Sequence, residues 1–311
     1  MAEFKGLTSE HFSTYEPSRW SSMVHNLARM KAKDAMVALA QGATAELEDA
    51  LAHLVRGASD EIPNITNQKK VDRQWIYWYR NKEDRETLSN FLGKTVLDSA
   101  SLFTTAVQDK HLIVGLVLAE TQITVGLHMA AGAEVDRRNF LAHLKDEYKI
   151  DKTLEAFKVI PENMLMGSPT ALKPVAEWNL SEQNPELEAL LESDEPFFLG
   201  YVVEPDLAVE MGEELCSWAQ NGIENLVGFY GHIAWSKTND CIGQGRAVKK
   251  AKEEKIKRSA NFQTGDKVRI TTGLLSGQIG IIENIDAKAM VKVAVGKMSV
   301  KVAGQDLIPV N

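Results

Sequence analysis

The stretch that most constrains this chain is residues 262–310, FQTGDKVRITTGLLSGQIGIIENIDAKAMVKVAVGKMSVKVAGQDLIPV. Val268 and Ile270 alternate with Lys267 and Arg269, the period of a half-buried strand. Gly265-Asp266 before this strand, and Gly273 and Gly277 after it, supply turn chemistry that tolerates positive φ. Ile279, Ile281 and Ile282 mark a second strand, and Asn284-Ile285-Asp286 a turn. Residues 290–295 and 298–302 read as two more strands around Gly296. So many short strands in so few residues cannot bury both faces of an open sheet. A small barrel is the expected solution.

Two motifs carry a resemblance: the opening Gly265-Asp266-Lys267-Val268-Arg269-Ile270 and the spacing of Gly273, Gly277 and Gly280. With them the segment resembles a KOW module, the SH3-like β-barrel of NusG-type transcription factors and several ribosomal proteins. Its tail, VGKMSVKVAGQDLIPV, is closer to the C-terminal KOW-like segment of bacterial MutS paralogues. An SH3-like barrel of another family is the alternative. The resemblance implies RNA, a ribosome or RNA polymerase as partner. One departure bears on that partner: the loop tip Leu274-Leu275-Ser276 has no aromatic or basic residue. Leu274 and Leu275 are therefore assigned to a protein surface.

Charge divides the chain in two. Residues 246–311 carry 13 Lys and Arg against 6 Asp and Glu, a net of +7. The whole chain carries 35 against 43, so residues 1–245 hold 22 against 37, a net of −15. Such asymmetry points to different partners for the two parts. An acidic body repels a phosphate backbone, and a basic tail attracts one. Between them lies RAVKKAKEEKIKR, which the i,i+4 pairs Lys249–Glu253 and Glu254–Arg258 favour as helix. It reads either as a solvated spacer or as an arm that follows phosphates. Lys249, Lys250, Lys255, Lys257 and Arg258, with Lys267 and Arg269 on the first barrel strand, are the candidate nucleic-acid contacts. The expected organisation is an acidic α+β domain over 1–245, a basic linker over 246–260 and the KOW-like β-barrel over 261–311.

The N-terminal part reads as mixed α+β. Residues 21–55 show helical spacing, with Met23, Leu27 and Met30 as an apolar stripe that Met36, Val37 and Leu39 rejoin. Residues 74–80 are an aromatic burst. On a strand, Trp75, Tyr77 and Tyr79 share one face and Ile76 and Trp78 the other. Exposed, the first set would stack on single-stranded bases; in an acidic body, a core strand is favoured. Residues 84–97 read as a helix, and 111–119 with 121–130 as a β-hairpin turning near Glu120. Asp136 is expected to cap a helix running to Tyr148. Residues 161–184 are expected to be irregular, 197–203 a buried strand, 207–218 a helix and 227–235 a strand or helix.

Chemistry-bearing motifs are sparse. The sequence lacks G-x-x-x-x-G-K-[ST], H-E-x-x-H, G-x-S-x-G and paired C-x-x-C patterns. Cys216 and Cys241 give neither a disulfide framework nor metal-ligand spacing, and Cys216 beside Trp218 reads as an inert thiol. Asp136-Arg137-Arg138-Asn139 would either hold a substrate anion or form a capped helix start with solvated arginines. Glu147-Tyr148-Lys149 has the E-x-K spacing of restriction-type nucleases but no upstream acidic partner. The opening residues lack a signal-peptide pattern, and the apolar run 112–119 is too short for a bilayer. The expectation is a cytoplasmic, bacterial-type, non-enzymatic adaptor without cofactor or metal. Its acidic body would bind a protein or another ligand, and its arm and barrel would dock on RNA, the ribosome or RNA polymerase. Two alternatives stay open: a NusG-like factor whose barrel touches protein only, and an RNA- or DNA-processing enzyme with its active site in the N-terminal domain.

Overall fold

A computed structural model describes residues 3–65, 67–88, 106–181, 184–243, 262–271, 275–285, 290–296 and 298–310. The chain divides into two compact units, Met1–Ile242 and Gly243–Asn311. The first is α+β. Its seven strands are β1 (Leu54–Ala58), β2 (Arg73–Arg80), β3 (Ile113–Ala119), β4 (Ile123–Met129), β5 (Leu165–Ser168), β6 (Ala171–Pro174) and β7 (Phe197–Val203). They form one antiparallel sheet in the order β1-β2-β3-β4-β7-β5-β6.

Register explains why the central strands are apolar on both sides. Ile76, Leu116, Val125 and Tyr201 stand opposite one another across β2, β3, β4 and β7. Trp78, Val114, Leu127 and Leu199 form the next such row. These rows face the main core, where the helices α1 (Asn26–Thr44) and α5 (Leu215–Ile233) pack on each other and on the sheet. On the opposite face Gly115, Gly126 and Gly200 lie in register on adjacent strands. The space they leave is filled by rings: a Cβ on Gly126 would meet Phe198, and one on Gly57 would meet Tyr77. Tyr77, Tyr79 and Ile113 form a separate cluster there. Trp75, Tyr77 and Tyr79 thus share a face, and Tyr77 and Tyr79 are core residues rather than a platform for bases.

Three further helices, α2 (Glu134–Lys145), α3 (Ile150–Lys158) and α4 (Pro185–Glu192), complete the long elements used below. Several expectations need correction. The stretch 21–55 is helical only in parts, and its end, Leu54–Ala58, is an edge strand paired to β2. Met23, Leu27 and Met30 face solvent, because Arg29, Ala32, Met36, Leu39 and Ala43 take the inner side of α1. Residues 161–184 contain the β5–β6 hairpin. Of the two states expected for 227–235, residues 227–233 take the helical one, as the end of α5. Helix was expected over 84–97; residues 82–88 are helical and 89–97 lie outside the described residues.

The second unit is a five-stranded antiparallel sheet in the order β11-β10-β9-β8-β12. Its strands are β8 (Lys267–Ile270), β9 (Ile279–Ile285), β10 (Met290–Val295), β11 (Met298–Ala303) and β12 (Leu307–Pro309). Asn284 and Ile285, expected in a turn, extend β9. Phe262, Val268, Ile270, Ile282, Val291, Val293 and Leu307 form the core, and Gly265 and Gly277 turn with positive φ. β11 and β12 are the two edges, joined only through the turn Gly304–Asp306. That link reaches about 14 Å at most, whereas the edges of a flat five-stranded sheet stand about 19 Å apart. The sheet must therefore curl, although no pairing closes it among the described residues.

Candidate functional site

In the second unit, β8 turns Lys267 and Arg269 to solvent because Val268 and Ile270 are taken by the core. Pairing sets their neighbours. Lys267 lies opposite Ile281, and Arg269 opposite Ile279 on one strand and Ile308 on the other. All three isoleucines are exposed. Two cations among three exposed isoleucines make a face suited to an anionic partner with apolar surface. Lys292 and Lys301 stand opposite each other on β10 and β11, and Lys292 is paired with Glu283 at 2.9 Å. Leu275 is half-buried against the core and braces its loop. Leu274, Lys249, Lys250, Lys255, Lys257 and Arg258 lie outside the described residues.

The first unit carries its own exposed apolar surface. Met23, Val24, Leu27 and Met30 lie at or near the start of α1, and Val24 is 87% exposed. Sequence periodicity found this stripe but not the side it faces. The residue that turns it outward is Arg29, which is fully buried. Its guanidinium donates to the carbonyls of Glu61 (2.8 Å), Arg19 (3.0 Å) and Ser22 (2.6 Å), and to Asn26 Oδ1 (2.6 Å). A buried cation with four acceptors rotates the helix so that the methionine–leucine side faces out.

The same unit has a concavity at the edge of the glycine face of its sheet. Trp20, Lys70, Arg73, Trp75, Asp109 and His128 line a cavity of about 430 Å³. His128 lies between Trp75 and Phe198, each ring centroid 4.9 Å away. Its Nε2 is buried without a partner. Burial first, and Arg73 second, push His128 down to about 3. Burial likewise pushes His111 down to about 4. Both rings are therefore neutral near neutral pH. Aromatic walls with charges of both signs suit binding of a flat polar group.

In the Asp136–Asn139 cluster Arg138 is exposed as expected, but Asp136 and Arg137 are not placed as expected. α2 begins at Glu134 after Ala133, so Asp136 sits inside its first turn rather than capping it. Asp136 is buried, pairs with Arg80, and accepts from the backbone N–H groups of Leu112 (2.8 Å) and Trp235 (3.0 Å). Arg137 is buried and spends its donors on the carbonyls of Leu190, Leu191, Ser193 and Glu195, which leaves no fork for an anion. α2 stops at Lys145, so Glu147, Tyr148 and Lys149 lie in the turn before α3. Cys216 abuts Gly42, and burial raises its thiol. Among the described residues no group of three His, Cys, Asp or Glu side chains is placed to hold a metal ion, and no helix is long and apolar enough to cross a membrane. No protein-family model matches the chain, and no curated protein matches it.

Proposed function

We propose that the protein is a non-enzymatic adaptor: the acidic body takes a protein partner, and the basic C-terminal part docks on RNA, the ribosome or RNA polymerase. The observation that carries the reading is the outer face of β8, where Lys267 and Arg269 are exposed side by side. The C-terminal unit is read as an SH3-like barrel of the KOW kind. Its Gly265–Ile270 motif folds as turn and first strand, and its short edge-to-edge link demands curl. The arm residues Lys249, Lys250, Lys255, Lys257 and Arg258 would add phosphate contacts beside that face. The Met23–Met30 ridge supports a protein partner for the body, since exposed apolar patches mark such sites.

A second reading, a barrel that touches protein only, is favoured by the exposure of Ile279, Ile281 and Ile308 around the two cations. One experiment separates them. RNA affinity is measured between about 50 and 200 mM salt, where released counterions demand a steep fall. It is repeated with Lys267→Glu/Arg269→Glu and with charge reversal at the four arm lysines. A steep salt slope that flattens in both variants is expected for the phosphate-binding reading. Salt-insensitive or absent RNA binding, together with retention of RNA polymerase through the isoleucine face, would leave the protein-only reading. Recovery of neither ribosomal subunits nor polymerase overturns the adaptor.

A further inference from the structure

The segment that follows α5 is seated on one side of α2, and the seat ends at a cysteine. Asn139 and His143, one turn apart on α2, are both buried. Asn139 Nδ2 donates to Ile233 O (3.1 Å), and its Oδ1 accepts from the backbone N–H of Cys241 (2.9 Å). Asn239 donates through Nδ2 to the carbonyls of His232 (2.6 Å) and Ala234 (2.8 Å). Its Oδ1 is thereby assigned as the acceptor that faces His143 Nε2 at 2.8 Å. The hydrogen-bond network thus places the imidazole proton on Nε2. Burial is the first cause that pushes His143 down to about 4, so the ring is neutral at physiological pH.

That assignment fixes the role of the sulfur. Cys241 Sγ lies 3.0 Å from His143 Nε2 and 3.1 Å from Lys149 Nζ. The ammonium of Lys149 donates to the sulfur, whereas the single proton on His143 Nε2 is already directed at Asn239 Oδ1. The thiol directs its own proton at Asn239 Oδ1, 3.8 Å away, a long but ordinary distance for a sulfur donor. Lys149 is steadied by Asp146 at 3.5 Å, and its ammonium is raised, with Cys241 the first cause. Lys149 thus sets a positive charge beside a half-buried thiol. Ile242, the next residue, and Asp146 line an open cavity of about 500 Å³. Cys216 is the internal contrast, with burial as the first cause raising its thiol and Glu213 the second.

We propose that Cys241 is a peroxide-reactive thiol, with the Lys149 ammonium set beside its sulfur. The thiolate sulfur attacks one peroxide oxygen; an S–O bond forms as the O–O bond breaks. The departing hydroxide takes a proton from Lys149, which recovers one from solvent. Sulfur is oxidised by two electrons to the sulfenic acid, and hydrogen peroxide is reduced to water. The lysine therefore both holds the sulfur's charge and delivers the leaving-group proton.

The test uses the full-length protein under native conditions. It is treated with equimolar hydrogen peroxide, trapped with dimedone and mapped by mass spectrometry, with iodoacetamide alkylation run in parallel. Cys241 should carry the dimedone adduct and react roughly tenfold or more faster than Cys216. Lys149→Met should slow both reactions several-fold, and Lys149→Arg should restore most of the alkylation rate. Lys149 is partly exposed, so both variants should keep the wild-type thermal midpoint. Equal labelling of the two cysteines overturns the proposal, as does a Lys149→Met protein that reacts at the wild-type rate. Fast alkylation without any sulfenic adduct overturns the assignment to peroxide.

Discussion

Arg80 and Asp136 form an ion pair with both side chains buried. Asp136 satisfies Arg80 and two backbone N–H groups at once, while Arg80 Nε and Nη1 are buried without partners. The guanidinium lies over the Trp235 ring, with its carbon 5.9 Å from the centroid. Removing either partner of such a pair strands the buried charge of the other. Asp136→Asn and Arg80→Met should therefore each lower the unfolding free energy by about 3–5 kcal/mol, and the double variant by less than the sum of the two. Urea denaturation of the three variants checks this; additive losses would refute the stranded-charge account. His128 makes a pH-dependent contribution. Its folded value near 3 lies below the ordinary 6.5. The unfolded chain therefore takes up the proton first, so this site's stability is complete above 6.5 and is lost as pH falls towards 3. Acidification from pH 7 to 4 should remove about 1–3 kcal/mol through this site. His128→Gln should flatten that slope, and an unchanged slope would assign the acid sensitivity to other groups.

At the scale of elements, α1 shows where apolar periodicity misleads. Two stripes compete on it, Met23–Leu27–Met30 and Ala32–Met36–Leu39–Ala43, and only the second is buried. Leu27→Ser should accordingly change stability by no more than about 0.5 kcal/mol, whereas Met36→Ala should cost about 2–5 kcal/mol. Thermal melts of the two variants decide it; a large loss at Leu27 would mean that the ridge is covered. The reason was not legible in the chain, because a buried arginine with carbonyl partners from residues 19, 22 and 61 looks like a surface residue in sequence. Strands whose rows are apolar on both faces were legible, as with 113–119, 123–129 and 197–203. The hairpin Leu165–Ser168/Ala171–Pro174 was not, since Gly167 and the two prolines at 169 and 174 imitate a loop. Of the candidate sites, the alternation at Lys267 and Arg269 could be read directly. The Cys241 cluster could not, because His143 and Cys241 are 98 positions apart and no local pattern joins them.

At the scale of the whole molecule, two units with separate cores predict two unfolding events. The C-terminal core rests on seven buried side chains, Phe262 to Leu307, and a module of that size is marginal. The N-terminal core spans both helices and the central strands. Nature has also labelled the units differently: all six tryptophans and all six tyrosines precede Gly243. Tryptophan fluorescence therefore reports the first unit alone, while far-ultraviolet circular dichroism reports both. Ile282 is buried in the second core opposite Val293. Truncating it should cost about 2–5 kcal/mol, a large share of what so small a unit possesses. Ile282→Ala should thus pull an early phase out of the dichroism curve and leave the fluorescence midpoint in place. A fluorescence midpoint that moves with it would show that the units unfold as one. The same variant bears on the adaptor reading, because it removes the Lys267–Arg269 face without touching the body. Loss of RNA or polymerase binding with an unchanged first unit would place docking in the basic C-terminal part; retained binding would transfer that role to the body and its exposed ridge.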